Sequence, residues 1–188
     1  MDKNFGFLGV EAIVFGKGPT FKKIKKEEGQ IHVCVNDSIN EIDEPDIVVF
    51  NDSISLKKID KNKLKKVKII VTPYYPHFEN SHRPKSDFTW LNLKELVPEL
   101  NCLWYPYNLK TSKPVLGIPT FESSITSSNT AVEWCVINGI KKITTYGVGK
   151  ELGYNVKFTG SVVEGQIKRI RDDIEYRCKI NNVELKML

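Results

Sequence analysis

The tripeptide Asn-Asp-Ser occurs twice, at residues 36–38 and 51–53, and each copy directly follows a short apolar run. An asparagine carboxamide both donates and accepts hydrogen bonds, so it can recognise a nucleobase edge or ribose hydroxyl groups. Asparagine and aspartate also stabilise turns by themselves, and a single copy would need no other explanation. Two copies after successive apolar runs favour a binding site that includes Asn36, Asn51 and Asp52.

A glycine-rich turn, Gly16-Lys17-Gly18-Pro19-Thr20, follows the first apolar run at 10–15. Glycines let backbone N–H groups approach a phosphate, and Pro19 suits the first position of a helix, here a short basic one over 20–26. The turn matches neither G-x-G-x-x-G nor a Walker A loop, and a tight turn without a ligand is an equal alternative. Its candidate ligand-binding residues are Gly16, Lys17, Gly18 and Thr20.

The densest hydroxyl cluster of the chain covers residues 123–130 and opens an apolar segment with helical spacing, 125–137. Hydroxyl groups and free N–H groups at a helix N-terminus can hold a phosphate or carboxylate. Capping of the helix is the alternative, although one or two hydroxyls would be enough for it. We therefore predict an anion site at Thr126, Ser127 and Ser128.

The elements that must position these residues alternate between strands and helices. Apolar runs predict strands at 10–15, 31–35, 46–50, 67–71, 101–105, 142–146 and 183–187, and helical spacing predicts helices at 53–59, 125–137 and 162–180. This alternation is typical of a three-layer α/β/α, Rossmann-like domain with a mainly parallel sheet, and we expect one nucleotide-binding domain over 1–188. Ligands bind such sheets outside the carboxyl ends of the strands, where the candidate residues fall.

Composition limits the function further. The chain of 188 residues carries 28 basic and 23 acidic side chains, a net charge of +5, and its lysines cluster at 22–26 and 57–68. A solvated surface explains these lysines better than a nucleic-acid site, because no zinc-finger, RNP or basic-helix signature accompanies them. Four scattered cysteines suit a reducing cytoplasm, and neither a metal site nor a membrane span is expected.

Taken in order, these segments resemble the sialyltransferase-like glycosyltransferase superfamily, especially the small bacterial sialyltransferases and the related pterin-diphosphokinase-like proteins. Residues 14–20 are similar to the Gly-Asn-Gly-Pro-Ser loop of the family, and Cys34-Val35-Asn36 to its Cys-Asn. Residues 45–51 are similar to its third strand with the terminal Asn, 125–128 to its Thr-Ser-Gly motif, and 138–147 to the following strand that ends in glycine. The resemblance covers about residues 10 to 150.

The resemblance implies a metal-independent transferase with a nucleotide or CMP-sugar ligand, held by Gly18, Thr20, Asn36, Asn51, Thr126 and Ser127, without another cofactor. Its general base would be a histidine after the Thr-Ser motif, but the last histidine of this chain is His82. Catalytic candidates by residue type are His77, His82, Tyr146 and Tyr154.

Three functions therefore stay open. The first is a glycosyltransferase, and the second is a protein that binds or sequesters a nucleotide after loss of the base. The third is a diphosphotransferase, for which Asp37 and Asp52 would have to hold Mg²⁺. A homo-oligomer is compatible with all three.

Overall fold

An eight-stranded, all-parallel sheet forms the centre of the computed structural model. The structure describes residues 7, 9–51, 54–74, 77–78, 81–84, 102–110, 114–122, 126–151, 153, 155 and 164–188. The strands of the sheet are β1 (Glu11–Phe15), β2 (Gln30–Val35), β3 (Ile47–Val49), β4 (Ile69–Pro73), β7 (Leu103–Leu109), β8 (Thr120–Phe121), β9 (Lys142–Tyr146) and β10 (Glu184–Met187). A separate antiparallel pair consists of β5 (His77–Phe78) and β6 (Ser81–Pro84).

Helices cover both faces of the sheet. A 3-10 helix at Asn36–Glu41, α1 (Ile54–Lys58) and α2 (Lys61–Leu64) lie over one face, and α3 (Ser127–Ile137) and α4 (Glu164–Ile180) lie over the other. The strands are apolar on both sides because both sides are covered, as in other parallel sheets. In β1, for example, Ala12 and Val14 belong to the core under α3 and α4, whereas Ile13 and Phe15 belong to the opposite core. The α/β fold with a parallel sheet is therefore confirmed.

One sequence prediction about local structure was wrong. No helix forms over 20–26, because Phe21 and Ile24 are drawn onto the core while neighbouring like-charged lysines disfavour helical turns. The Asn-Asp-Ser segment at 36–38 begins the 3-10 helix, an element that the sequence analysis did not predict. The predicted helix over 125–137 begins at Ser127, with Thr126 as its N-cap residue.

The order of the strands is β10-β9-β1-β2-β3-β4-β7-β8. The chain runs outward from β1 to β8, then returns through α3 to place β9 on the other side of β1. The connections after β1 and β9 consequently leave towards opposite faces: Phe21 packs into one core and Ile170 into the other. This divergence makes a crevice between the carboxyl ends of β1 and β9, the topological switch point at which open α/β sheets bind ligands.

Candidate functional site

The loop after β1 lies directly against the loop after β9. The N–H group of Gly16 donates to the carbonyl oxygen of Tyr146 at 2.8 Å, and that of Gly18 donates to the carbonyl oxygen of Gly147 at 2.8 Å. A Cβ atom on Gly16 would lie 2.2 Å from the carbonyl oxygen of Gly147, so no larger residue fits without moving the backbone. These glycines serve close packing of two loops, and their N–H groups are already engaged.

Thr20 completes the same junction. Its hydroxyl oxygen accepts a hydrogen bond from the N–H group of Gly147 at 3.1 Å, and Gly147 itself has a φ of +68°. Gly16 and Thr20 therefore form the base of the site, whereas Lys17 and Gly18 are exposed to its interior.

Asn36 has the backbone and side-chain features of a ligand-binding residue. Its φ is +54°, in the left-handed region that residues other than glycine adopt at a cost. Its Oδ1 atom is buried and has no hydrogen-bond partner within the described part of the chain. A buried acceptor without a partner is costly, so this oxygen is suited to an N–H or O–H donor of a ligand.

An ion pair joins the loops that follow β1 and β2. The Nζ atom of Lys17 lies 2.9 Å from Oδ1 of Asp37, and each side chain is only 11% exposed. Ser38 supports the same junction, since its hydroxyl donates to the carbonyl oxygen of Phe15 at 2.8 Å and accepts from the N–H group of Val35 at 2.9 Å. The positive charge of Lys17 at the site is thus already paired with the carboxylate of Asp37.

Asn51, the counterpart of Asn36 on the next strand, is bound within the protein. Its Oδ1 atom accepts a hydrogen bond of 2.6 Å from the hydroxyl of Tyr107, and its N–H group donates to Oγ of Ser127 at 3.0 Å. Asn51 is 8% exposed and does not line the cavity described below. It therefore positions the start of α3.

Side-chain hydrogen bonds cap the N-terminus of α3 and connect it to α4. The hydroxyl of Thr126 donates to Oδ1 of Asn129 at 2.7 Å and accepts from the N–H group of Asn129 at 3.4 Å, so Thr126 acts mainly as the cap. Asn129 is fully buried and also donates to Oδ2 of Asp173 at 2.7 Å and to the carbonyl oxygen of Ile170 at 3.2 Å. These bonds fix α3 against α4.

A cavity of about 110 Å³ lies between these loops and the two helices. It is smaller than the roughly 300–1,000 Å³ of complete ligand pockets, so it fits one part of a nucleotide, such as a ribose or a phosphate. Of the lining residues that are described, Lys17 is the only cation and Glu151 the only acid. The described lining consists of Lys17, Gly18, Val35, Asn36, Thr126, Ser127, Ser128, Gly147, Gly149, Glu151, Gly153, Gln166, Ile167 and Ile170.

The structure thus brings together six of the ten predicted ligand-binding residues: Lys17, Gly18, Asn36, Thr126, Ser127 and Ser128. Gly16 and Thr20 lie beneath the cavity, Asn51 supports it, and Asp52 lies outside the described residues. Sequence reasoning missed three lining residues. Glu151 lies in the loop after β9, whereas Gln166 and Ile170 lie on α4 and reach the site because α4 packs beside α3.

Among the catalytic candidates, Tyr146 does not line this cavity. Tyr146 stacks on Phe15, with ring centroids 6.0 Å apart, on the face covered by the 3-10 helix. His77 and His82 lie on the separate strands β5 and β6. Tyr154 lies outside the described residues.

Thiol and metal chemistry have little support within the described part of the chain. Burial raises the pKa of the Cys178 thiol to about 11 and also raises the pKa values of Cys34 and Cys135, which keeps these thiols protonated. No described group of three or more His, Cys, Asp or Glu side chains is placed to hold a metal ion. Asp37, one proposed Mg²⁺ ligand, faces Lys17 instead.

No family model matches the chain, and no curated protein is significantly similar to it. Within the described residues, the structure has no helix that is long and apolar enough to span a membrane.

Proposed function

We propose that this chain binds a nucleotide or a nucleotide-sugar at the crevice between β1 and β9. One observation carries the proposal: residues that the sequence singles out separately, in the loops after β1 and β2 and at the start of α3, line one cavity at the topological switch point. The resemblance to sialyltransferase-like proteins supports the same ligand class.

The polar groups of the cavity suit the two halves of a ribose phosphate. The unpartnered Oδ1 atom of Asn36 is an acceptor for a ribose hydroxyl or a base amino group. The N-terminus of α3, with Ser127 and Ser128, favours a negatively charged group such as a phosphate. Because Lys17 is paired with Asp37, attraction of the anion depends on the helix N-terminus as well as on the lysine.

Thermal denaturation with a panel of nucleotides and nucleotide-sugars tests the proposal. A ligand at about one hundred times its Kd adds about 2.7 kcal/mol to the free energy of unfolding, which corresponds to a rise of roughly 5–10 °C in Tm. The variant Gln166→Ala, which alters the cavity lining, should reduce this shift, whereas Glu175→Ala on an exposed part of α4 should not. No shift with any member of the panel at millimolar concentration contradicts the proposal.

Glycosyl transfer is a second candidate, favoured by one observation. Glu151 places a carboxylate at the cavity, and a carboxylate can act as a general base in place of the histidine that the resemblance leads one to expect. Incubation with a labelled sugar donor separates the two functions, because transfer or hydrolysis indicates an enzyme and unchanged ligand a binding or sequestering protein. In an enzyme of this kind, Glu151→Gln should reduce turnover by about 10²–10⁴-fold and leave binding intact.

A further inference from the structure

Eleven of the 24 lysines fall in two short segments of the chain. Residues 54–68 contain seven lysines and one acid, Asp60, a net charge of +6, although the whole chain carries only +5. Residues 21–26 add four lysines and no acid. We call these two segments together the lysine face, and without them the chain would be acidic.

The two segments are neighbours in the folded protein. Asp43 lies between Lys23, at 2.9 Å, and Lys63, at 3.8 Å, while Asp46 lies between Lys26, at 2.6 Å, and Lys68, at 2.8 Å. Each carboxylate therefore joins one lysine of the first segment to one of the second and leaves an excess positive charge. The lysine face is continuous across α1, α2 and the chain that follows β1.

The lysines point outward and the apolar residues between them point inward. Phe21, Ile59, Leu64 and Val67 are buried in the core beneath, with 2–8% of their surface exposed. Across the described residues of 21–68, five exposed acids accompany nine exposed lysines, namely Lys22, Lys23, Lys25, Lys57, Lys58, Lys61, Lys65, Lys66 and Lys68. The exposed side chains of the lysine face are therefore mostly charged ones. Its described apolar side chains are buried or half-buried and are not placed to insert into a partner.

We infer that the lysine face binds the anionic headgroups of a lipid surface, as a reversible, purely electrostatic contact. A planar surface reaches lysines of two adjacent segments at once, whereas a nucleic acid strand would follow a single line across them. Phe21, the aromatic residue within the described part of the lysine face, is buried and therefore offers bases no surface for stacking. Near an anionic membrane each lysine strengthens binding by about fivefold, and the attraction is lost within a Debye length.

Sedimentation with phosphatidylserine-containing vesicles tests the inference, with pure phosphatidylcholine vesicles beside them. We expect the full chain to bind the anionic vesicles at about 10 mM salt and to be released at about 0.5 M, where the Debye length falls to a few ångströms. Failure to bind anionic vesicles at low salt, or equal binding to both kinds of vesicle, overturns the inference.

A matched pair of variants assigns the contact to this face. The triple variant Lys25→Gln, Lys61→Gln, Lys66→Gln removes three exposed charges from the lysine face, and Lys168→Gln, Arg169→Gln, Lys179→Gln removes three from α4 on the other side. The first should bind vesicles at least ~10-fold more weakly, and the second should stay within about threefold of the original chain. Equal losses would show that net charge alone is responsible and would overturn the inference.

Two controls keep the result unambiguous. Replacing the same three residues of the lysine face by arginine should preserve vesicle binding, and far-UV circular dichroism of all variants checks their fold. Single-stranded and duplex oligonucleotides are tested at the same salt concentration. Tighter binding to either of them than to the vesicles, lost in the lysine-face variant, would assign the face to a nucleic acid and overturn the inference.

Discussion

Asn36 and Asn51 stand at the ends of neighbouring strands, and each begins an Asn-Asp-Ser tripeptide, yet the two have different surroundings. Asn51 is enclosed by β7 and α3, and its side chain and N–H group are both engaged by protein groups. Asn36 lies at the switch point, with a left-handed backbone and a buried oxygen that accepts no hydrogen bond from a described residue. The difference teaches that position in the strand order, rather than the local motif, decides which polar residue is available to a ligand.

The largest effect should come from the glycine that holds the cavity beside Asn36 in place. In Gly16→Ala the new Cβ would overlap the carbonyl oxygen of Gly147, and we expect a loss of about 3 kcal/mol in the free energy of unfolding, at the upper end for overpacking. Gly165→Ala is the matched control, because a Cβ there meets no atom within 4 Å and should leave stability unchanged or raise it by up to about 1 kcal/mol. Urea denaturation measures both, and equal stabilities would refute the role of this loop contact.

Asn51→Ala should reveal a structural role. The substitution removes the oxygen to which the buried hydroxyl of Tyr107 donates, for a loss of about 1–3 kcal/mol in the free energy of unfolding. The backbone N–H group of residue 51 still donates to Ser127, so the start of α3 keeps that contact. In a double-mutant cycle, Tyr107→Phe should cost less in the Asn51→Ala background than alone, and strict additivity would argue against the hydrogen bond.

Asn36→Gly should have the opposite effect on stability. Glycine adopts a positive φ without strain, so we expect a gain of up to about 1 kcal/mol together with a roughly 3- to 10-fold loss of affinity for the ligand found in the nucleotide screen. Asn182→Gly provides the matched control, because Asn182 has a φ of +53° in the turn after α4. Calorimetric titration should find normal affinity in that control; normal affinity in Asn36→Gly would remove Asn36 from the site.

The smallest effect concerns His32, whose imidazole ring is buried. Burial, with a contribution from Lys26, lowers the pKa of His32, and both ring nitrogens lack a hydrogen-bond partner among the described residues. The unfolded chain then binds the proton more readily, so stability is complete above about pH 6.5 and declines as the pH falls from there towards the lowered pKa. Denaturation between pH 5 and 8 should record this decline, and His32→Leu should flatten it.

Asp46 affects the free energy of unfolding in a different pH range, which provides an internal check. Burial alone would raise the pKa of Asp46, but hydrogen bonds from Lys26 and Lys68 outweigh it and lower the pKa. The stability that Asp46 contributes is present above about pH 4 and is lost as the pH falls through its lowered pKa. A decline that begins only below pH 4 would leave His32 without its predicted effect.

The fold was largely predictable, because the apolar runs of a parallel sheet buried on both faces are continuous and end at recognisable turns. The prediction of a helix over 20–26 was wrong because Pro19 suits a turn as well as a helix start, and Phe21 and Ile24 pack onto the core from irregular structure. Gln166 was not predictable as a site residue, since its place at the cavity depends on the packing of α4 against α3 through Asn129. Glu151 was not predictable either, since the loop after β9 meets the loop after β1 only through the strand order. Periodicity reports burial, but it contains no information on which distant segments meet.

The position of β1 between β2 and β9 has a kinetic consequence. β1 can pair with β2 soon after both are made, whereas Thr20 and Gly147, which join the two loops of the site, are 127 residues apart in sequence. Contacts of such long range form late, because loop closure must precede any gain from them. During synthesis, β1 is therefore left as an exposed edge strand until β9 arrives, and the cavity comes into existence only at that step. A bound ligand would stabilise the state in which β9 is in place.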